Sequence, residues 1–270
     1  MQPISLNTIH ALATAILWLF SCVAASAETP EVTSPQVDSP TRVLFVGNSY
    51  MYYNDSLHNH VRRLVVAADA ELGQALQYKS STIGGAALSH HNIKHLTTPG
   101  QIGVDKPFQL VILQGGSAAP LSQARRRQFR KTVKAFNQVI TKRGGKTALY
   151  MTHAYVKPHK RASPENIHLT KKLYTTVGNK INALVIPVGL AFEEAYRRRP
   201  DLQLHKNFDG SHPNLAGTYL AACTVYASIY GKSPVGNSYD YYGEIDPRTV
   251  KFLQQVAADT VREFYSRQLK

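Results

Sequence analysis

Apolar and polar positions divide the chain into short, continuously apolar runs and longer stretches with apolar residues at every third or fourth position. The first run lies in 42–54, RVLFVGNSYMYYN, and stops at Gly47-Asn48-Ser49, which reads as a buried strand feeding a tight turn. Leu57, Val61, Leu64, Val65 and Ala68 then recur at helical spacing, with Asn54 or Asp55 placed as N-cap. Further strands are expected at 75–82, ending in Gly84-Gly85, and at 109–114, ending in Gly115-Gly116-Ser117. A fourth is expected at 146–152, leaving His153 at its carboxyl end, and a fifth at 183–188. Phe129, Val133, Phe136 and Ile140 mark a helix closed by Gly144-Gly145, and a second helix is expected over 164–178. A short helix after Gly189 reaches Arg199; Leu215, Tyr219, Ala222 and Tyr226 mark another ended by Gly231; Val250, Leu253, Ala257, Val261 and Phe264 mark the last. Strand and helix alternate, so one α/β domain with a mostly parallel sheet and helices on both faces is predicted over 42–270.

The amino-terminal stretch breaks this pattern. Residues 1–27 carry no charged side chain, an apolar run from Ala11 to Ala25 and a final Ala25-Ser26-Ala27, the features of a cleaved secretory signal peptide. The weaker alternatives are an uncleaved anchor and lipidation at Cys22. Secretion or a periplasmic address is the expectation, with no lasting membrane span. Residues 28–41 are rich in Pro and Ser without periodicity and read as a flexible linker. Cleavage after Ala27 leaves Cys223 as the single cysteine, so no internal disulfide forms, and its apolar helical setting makes it a small buried hydrophobe.

Charge narrows the partners. Thirty-one Lys and Arg against 17 Asp and Glu give a net charge of +14, which favours an anionic polymer over a cationic one. The densest basic stretch is Arg125, Arg126, Arg127, Arg130, Lys131 and Lys134, opposite the apolar face of its helix; a solvated basic surface is the alternative reading. No nucleic-acid-binding motif with interleaved aromatics accompanies it, so no nucleic-acid partner is expected. Oligomeric state is not written in the pattern.

Chemistry enters at two places. Ser49 stands at a strand's carboxyl end, where open α/β sheets bind ligands, and Asp209-Gly210-Ser211-His212-Pro213 supplies an acid and a base three residues apart on a loop. Together, over roughly 42 to 231, they resemble the SGNH (GDSL-like) hydrolase superfamily, as a divergent branch. The resemblance implies a flavodoxin-like three-layer α/β/α sandwich with a five-stranded sheet in the order 2-1-3-4-5. It further implies Ser49 as nucleophile, His212 as general base and Asp209 as its partner. The oxyanion hole it implies uses the N–H groups of Ser49 and Gly85 and an Asn side chain after the third strand. Here the usual Gly-x-Asn-Asp block reads Gly116-Ser117-Ala118-Ala119, and Gln114 is the candidate replacement for the absent amide. Asn48 and His153 are the substrate-binding candidates. His91 and His95 sit at i, i+4 without a third ligand, and are read as surface or pocket histidines rather than a metal site. The expected activity is cofactor-free hydrolysis of esters of small acyl groups, such as acetyl on carbohydrate. A catalytically silent carbohydrate-binding protein and an acyltransferase with the same triad are the other two readings.

Overall fold

The computed structural model describes residues 29–270, so the signal peptide expected over residues 1–27, with Cys22, lies outside the described residues. Its elements run β1 Val43–Gly47, α1 Ser49–Tyr52, α2 Leu57–Ala68, α3 Ala70–Ala75, β2 Lys79–Thr82, α4 Ile93–Leu96, β3 Leu110–Gln114 and α5 Gln123–Lys142. The chain continues through β4 Lys146–Tyr150, α6 Glu165–Lys180, β5 Leu184–Ile186, α7 Val188–Arg198, α8 Leu215–Tyr230 and α9 Pro247–Tyr265. All five strands are parallel, in the order β2-β1-β3-β4-β5. The order reverses beside β1, so the crevice at its carboxyl end is the site that the topology offers to a ligand.

Because side chains alternate along a strand, β1 feeds two cores. Val43 and Phe45 join the layer that contains α2, α7, α8 and α9, while Leu44 and Val46 join the one under α5 and α6. Helix α8 is buried almost all round, from Gly217 to Ile229, because α2, α7 and α9 pack against it. Cys223 is fully buried there, and burial pushes its thiol far up, out of the range of a reactive thiolate.

The elements differ from the sequence expectation at their ends. The second strand starts only at Lys79 because Asp69 caps a helical turn over Ala70–Ala75, its Oδ1 accepting from Leu72 N at 3.0 Å. The fifth strand stops at Ile186, before Pro187, which has no N–H to continue the ladder. Residues 29–41 form neither helix nor strand, yet they lie along the domain instead of hanging free: Val32 is buried and Asn179 pairs with both Glu31 N and Thr29 O at 3.0 Å. Arg267 and Tyr230 donate to the carbonyls of Thr33 and Pro40. Among the described residues no helix is long and apolar enough to cross a membrane.

Helix α8 approaches the chain leading into the 205–213 loop so closely that a Cβ on Gly217 would stand 2.2 Å from Leu204 O and 3.1 Å from Phe192 Cζ. The Gly217→Ala protein is therefore expected to lose about 1–3 kcal/mol of unfolding free energy in a urea titration, the cost of displacing backbone rather than a side-chain tip. A midpoint equal to that of the wild type would show that the contact is soft.

Candidate functional site

The turn after β1 is fixed before any catalytic group is added to it. A Cβ on Gly47 would lie 2.4 Å from Gln114 Oε1, so only glycine lets that oxygen approach. Gln114 Oε1 accepts from Asn48 N at 2.9 Å, Asn48 Oδ1 accepts from Tyr50 N at 3.1 Å, and Asn48 Nδ2 donates to Ala86 O at 3.0 Å. Asn48 is thus the N-cap of α1 and the link to the loop after β2, and it leaves Ser49 as the first residue of the helix.

The loop carrying Asp209 and His212 arrives from the other end of the chain. Lys206 N donates to His212 O at 2.7 Å, Val156 N donates to Gly210 O at 2.9 Å, and Asn54 Nδ2 donates to Pro213 O at 3.0 Å. Gly210 sits at φ +60° with its Cα against Val156 O, where a Cβ would be 2.1 Å away. So held, His212 Nε2 lies 2.8 Å from Ser49 Oγ and its Nδ1 lies 2.5 Å from Asp209 Oδ2. The carboxylate accepts a hydrogen bond from Nδ1–H, which holds the proton on that nitrogen and leaves Nε2 to accept from the serine hydroxyl. Asp209 Oδ1 is occupied by Ser211 N at 2.8 Å and His212 N at 3.0 Å. Partial burial pushes the Asp209 carboxyl up, and the bonds from the His212 ring and these N–H groups outweigh it, so its pKa ends below the ordinary carboxylate value.

Ser49 and His212 open onto a cavity of about 450 Å³, whose wall also includes Gly85, Ser117, Arg125 and Tyr155. Gly85, at φ +66°, lines it, and neither the Ser49 nor the Gly85 amide has a hydrogen-bond acceptor among the described residues. Both are free to donate into the cavity.

Two sequence candidates stand elsewhere. Gln114 is buried at 1 % exposure and its Nε2 donates to Gly115 O, so the amide that was expected to reach the cavity is turned back into the strand end. His153 is also buried, stacked between Tyr50 at 4.1 Å and Phe192 at 4.4 Å. It does not line the cavity; its Nε2–H donates to Ser211 O at 2.9 Å and so supports the 205–213 loop from behind. His91 is engaged with Gly47 O at 2.9 Å and Ser81 Oγ at 3.3 Å, so it holds the β1 turn instead of pairing with His95.

Residues with no motif to mark them complete the site. Tyr53, the residue that ends the helix opened by Ser49, stacks on the His212 ring at 4.5 Å, and from within that helix the Tyr50 hydroxyl meets Ser211 Oγ at 2.9 Å. Tyr155 OH donates to Ser117 Oγ at 2.7 Å. Only their closeness in sequence to Ser49 and His153 hinted at them.

No protein-family model and no curated protein matches the chain. Solved structures do match in fold. A DUF4886 family protein from Bacteroides uniformis aligns with TM-score 0.57 at 18 % identity, covering 84 % of this chain and 96 % of that one. A protein from Slackia heliotrinireducens described as an SGNH hydrolase aligns with TM-score 0.56 at 20 % identity, over 70 % and 98 % of the two chains. An acetyl xylan esterase aligns with TM-score 0.55 at 14 % identity, over 69 % and 98 %. The fold is shared with solved SGNH hydrolases, at 14–20 % sequence identity over these alignments.

The buried histidines beneath the loop give a pH dependence. Burial lowers His205 to about 4 and, with His205 beside it, holds His153 well below the ordinary imidazole range. Between pH 6.5 and 4 the unfolded chain binds more protons than the folded one, so stability falls as pH falls through that window. His205 alone accounts for on the order of 3 kcal/mol of this loss. Urea unfolding from pH 7 to 4 should therefore show a shallower decline for His205→Gln than for the wild type; parallel curves would refute the assignment.

Proposed function

We propose that the protein is a serine esterase that removes short acyl groups from carbohydrate, with Ser49, His212 and Asp209 as its triad. The observation that carries this reading is the unbroken hydrogen-bond chain Asp209 to His212 to Ser49 at the mouth of the cavity. Ser49 Oγ attacks the acyl carbonyl carbon while its proton passes to His212 Nε2, and the carbonyl π pair becomes the oxyanion. Asp209 stabilises the imidazolium. Collapse of the intermediate breaks the bond to the alcohol, which leaves with the proton from His212, and water repeats the sequence on the acyl-serine. The N–H groups of Ser49 and Gly85 face the developing oxyanion. Each step uses side chains, backbone and water.

The acyl and alcohol parts are proposed on two grounds. The fold is shared with an acetyl xylan esterase. Arg125 lines the cavity, no carboxylate does, and none of Arg125, Arg126, Arg127, Arg130, Lys131 and Lys134 forms an ion pair among the described residues. An uncompensated basic helix against the site suits an acidic glycan. Export by way of the residues 1–27 signal peptide, with the mature chain starting at Glu28, belongs to the same proposal, since such polymers are met outside the cytoplasm.

With 4-nitrophenyl acetate as substrate, Ser49→Ala and His212→Ala should each lose about 10⁴- to 10⁶-fold in kcat, and Asp209→Ala less. A Ser49→Ala protein as active as the wild type would sink the mechanism, and an inactive wild type would leave the silent carbohydrate binder. For the polymer, kcat/KM on O-acetylated polyuronate should exceed that on O-acetylated neutral xylan at low salt, and the ratio should fall as salt screens the helix. A ratio that does not change with salt would remove the acidic-glycan part alone.

A further inference from the structure

An oxyanion is held best by donors fixed in place before it forms. Two backbone amides meet that need, but the side-chain amide expected beside them is absent, because Gln114 points its Nε2 at Gly115 O and gives its Oε1 to Asn48. The turn after β3 offers another group. Gly115 admits no side chain, since a Cβ would lie 2.6 Å from Phe129 Cε2, and Gly116 faces the loop after β2, where a Cβ would make an ordinary 3.7 Å contact with Ala86 O. Ser117, two residues past Gly115, lines the cavity wall together with Ser49 and Gly85.

A serine hydroxyl has one proton to give and two lone pairs. Tyr155 OH fills one lone pair of Ser117 Oγ at 2.7 Å, which fixes the oxygen and leaves its own proton to be donated elsewhere. The other phenol nearby, Tyr50, bonds Ser211 Oγ at 2.9 Å and has Ser117 within reach, so an oxyanion competes with Tyr50 for the Ser117 proton. Tyr155 is well placed to hold the serine, being 8 % exposed and stacked on the His159 ring at 3.7 Å. A donor that itself accepts a hydrogen bond is polarised into a stronger one. From this we infer that Ser117 is a catalytic residue, the third donor to the oxyanion in place of the missing amide, and that Tyr155 is the positioning residue that aims it. The inference rests on the esterase reading of the same cavity.

The test is steady-state kinetics on 4-nitrophenyl acetate with melting temperatures measured alongside. Ser117→Ala should lower kcat about ten- to a hundredfold while KM moves by less than about twofold, because the oxyanion exists only in the transition state. Ser117→Thr keeps the hydroxyl and should recover most of the turnover. Tyr155→Phe should lose less, and the double variant should be no slower than Ser117→Ala alone, since Tyr155 acts only through Ser117. A merely structural link between the two loops predicts instead raised KM and lowered melting temperature in Ser117→Ala and Tyr155→Phe alike, with turnover falling only as far as folding does, and that result overturns the inference. So does Ser117→Ala turning over at the wild-type rate. An active wild type with an indifferent Ser117→Ala removes this inference alone, whereas a wild type without turnover removes the esterase reading and this inference with it.

Discussion

The hydrogen bond from Asn48 N to Gln114 Oε1 is the constraint on which the rest of the site depends. It ties the end of β1 to the end of β3, and it requires glycine at position 47 because the acceptor oxygen lies where a side chain would start. With Asn48 so oriented, its side chain caps α1 and reaches Ala86 O, and three strand-end turns become one rigid rim. Ser49 inherits its direction from that rim. A hydroxyl 2.8 Å from an imidazole on a loop 163 residues away keeps its alignment only if both supports are stiff.

The second support is aromatic and buried. Tyr50, His153 and Phe192 form a stack under the 205–213 loop, and His153 and His205 each donate Nε2–H to a backbone carbonyl, Ser211 O and Ala154 O. Neutral imidazoles are what that layer needs, and burial keeps them neutral. The same residues that stiffen the loop are the ones whose burial disfavours protonation, a link between packing and pH that runs through desolvation rather than through contact with substrate.

Much of this was legible in the chain. Continuous apolar runs ending in Gly-Asn-Ser and Gly-Gly marked the strands and their functional ends, since periodicity and glycine punctuation are local properties. Ser49, Asp209 and His212 stood out for the same reason and come together in space. What escaped was decided at a distance. Gln114 was read as a donor because nothing local says which way a buried amide turns; the turn was set by Asn48 and Gly115. His153 was read as lining because its covers, Tyr50 and Phe192, lie about a hundred and about forty residues away in sequence. The 70–75 helix is short and Gly73 obscures its pattern, and the buried apolar residues of 29–41, Val32, Pro35 and Pro40, follow no regular spacing.

The account stands on one claim, that the rim and the loop make Ser49 a nucleophile. Reaction with a fluorophosphonate, followed by intact-mass and peptide-mass measurement, tests it most directly, because such a reagent is attacked only by a serine whose proton has a base to go to. The expected result is a single adduct on the peptide containing Ser49, absent from the Ser49→Ala protein. An unmodified wild type, or an adduct on another residue, would contradict it.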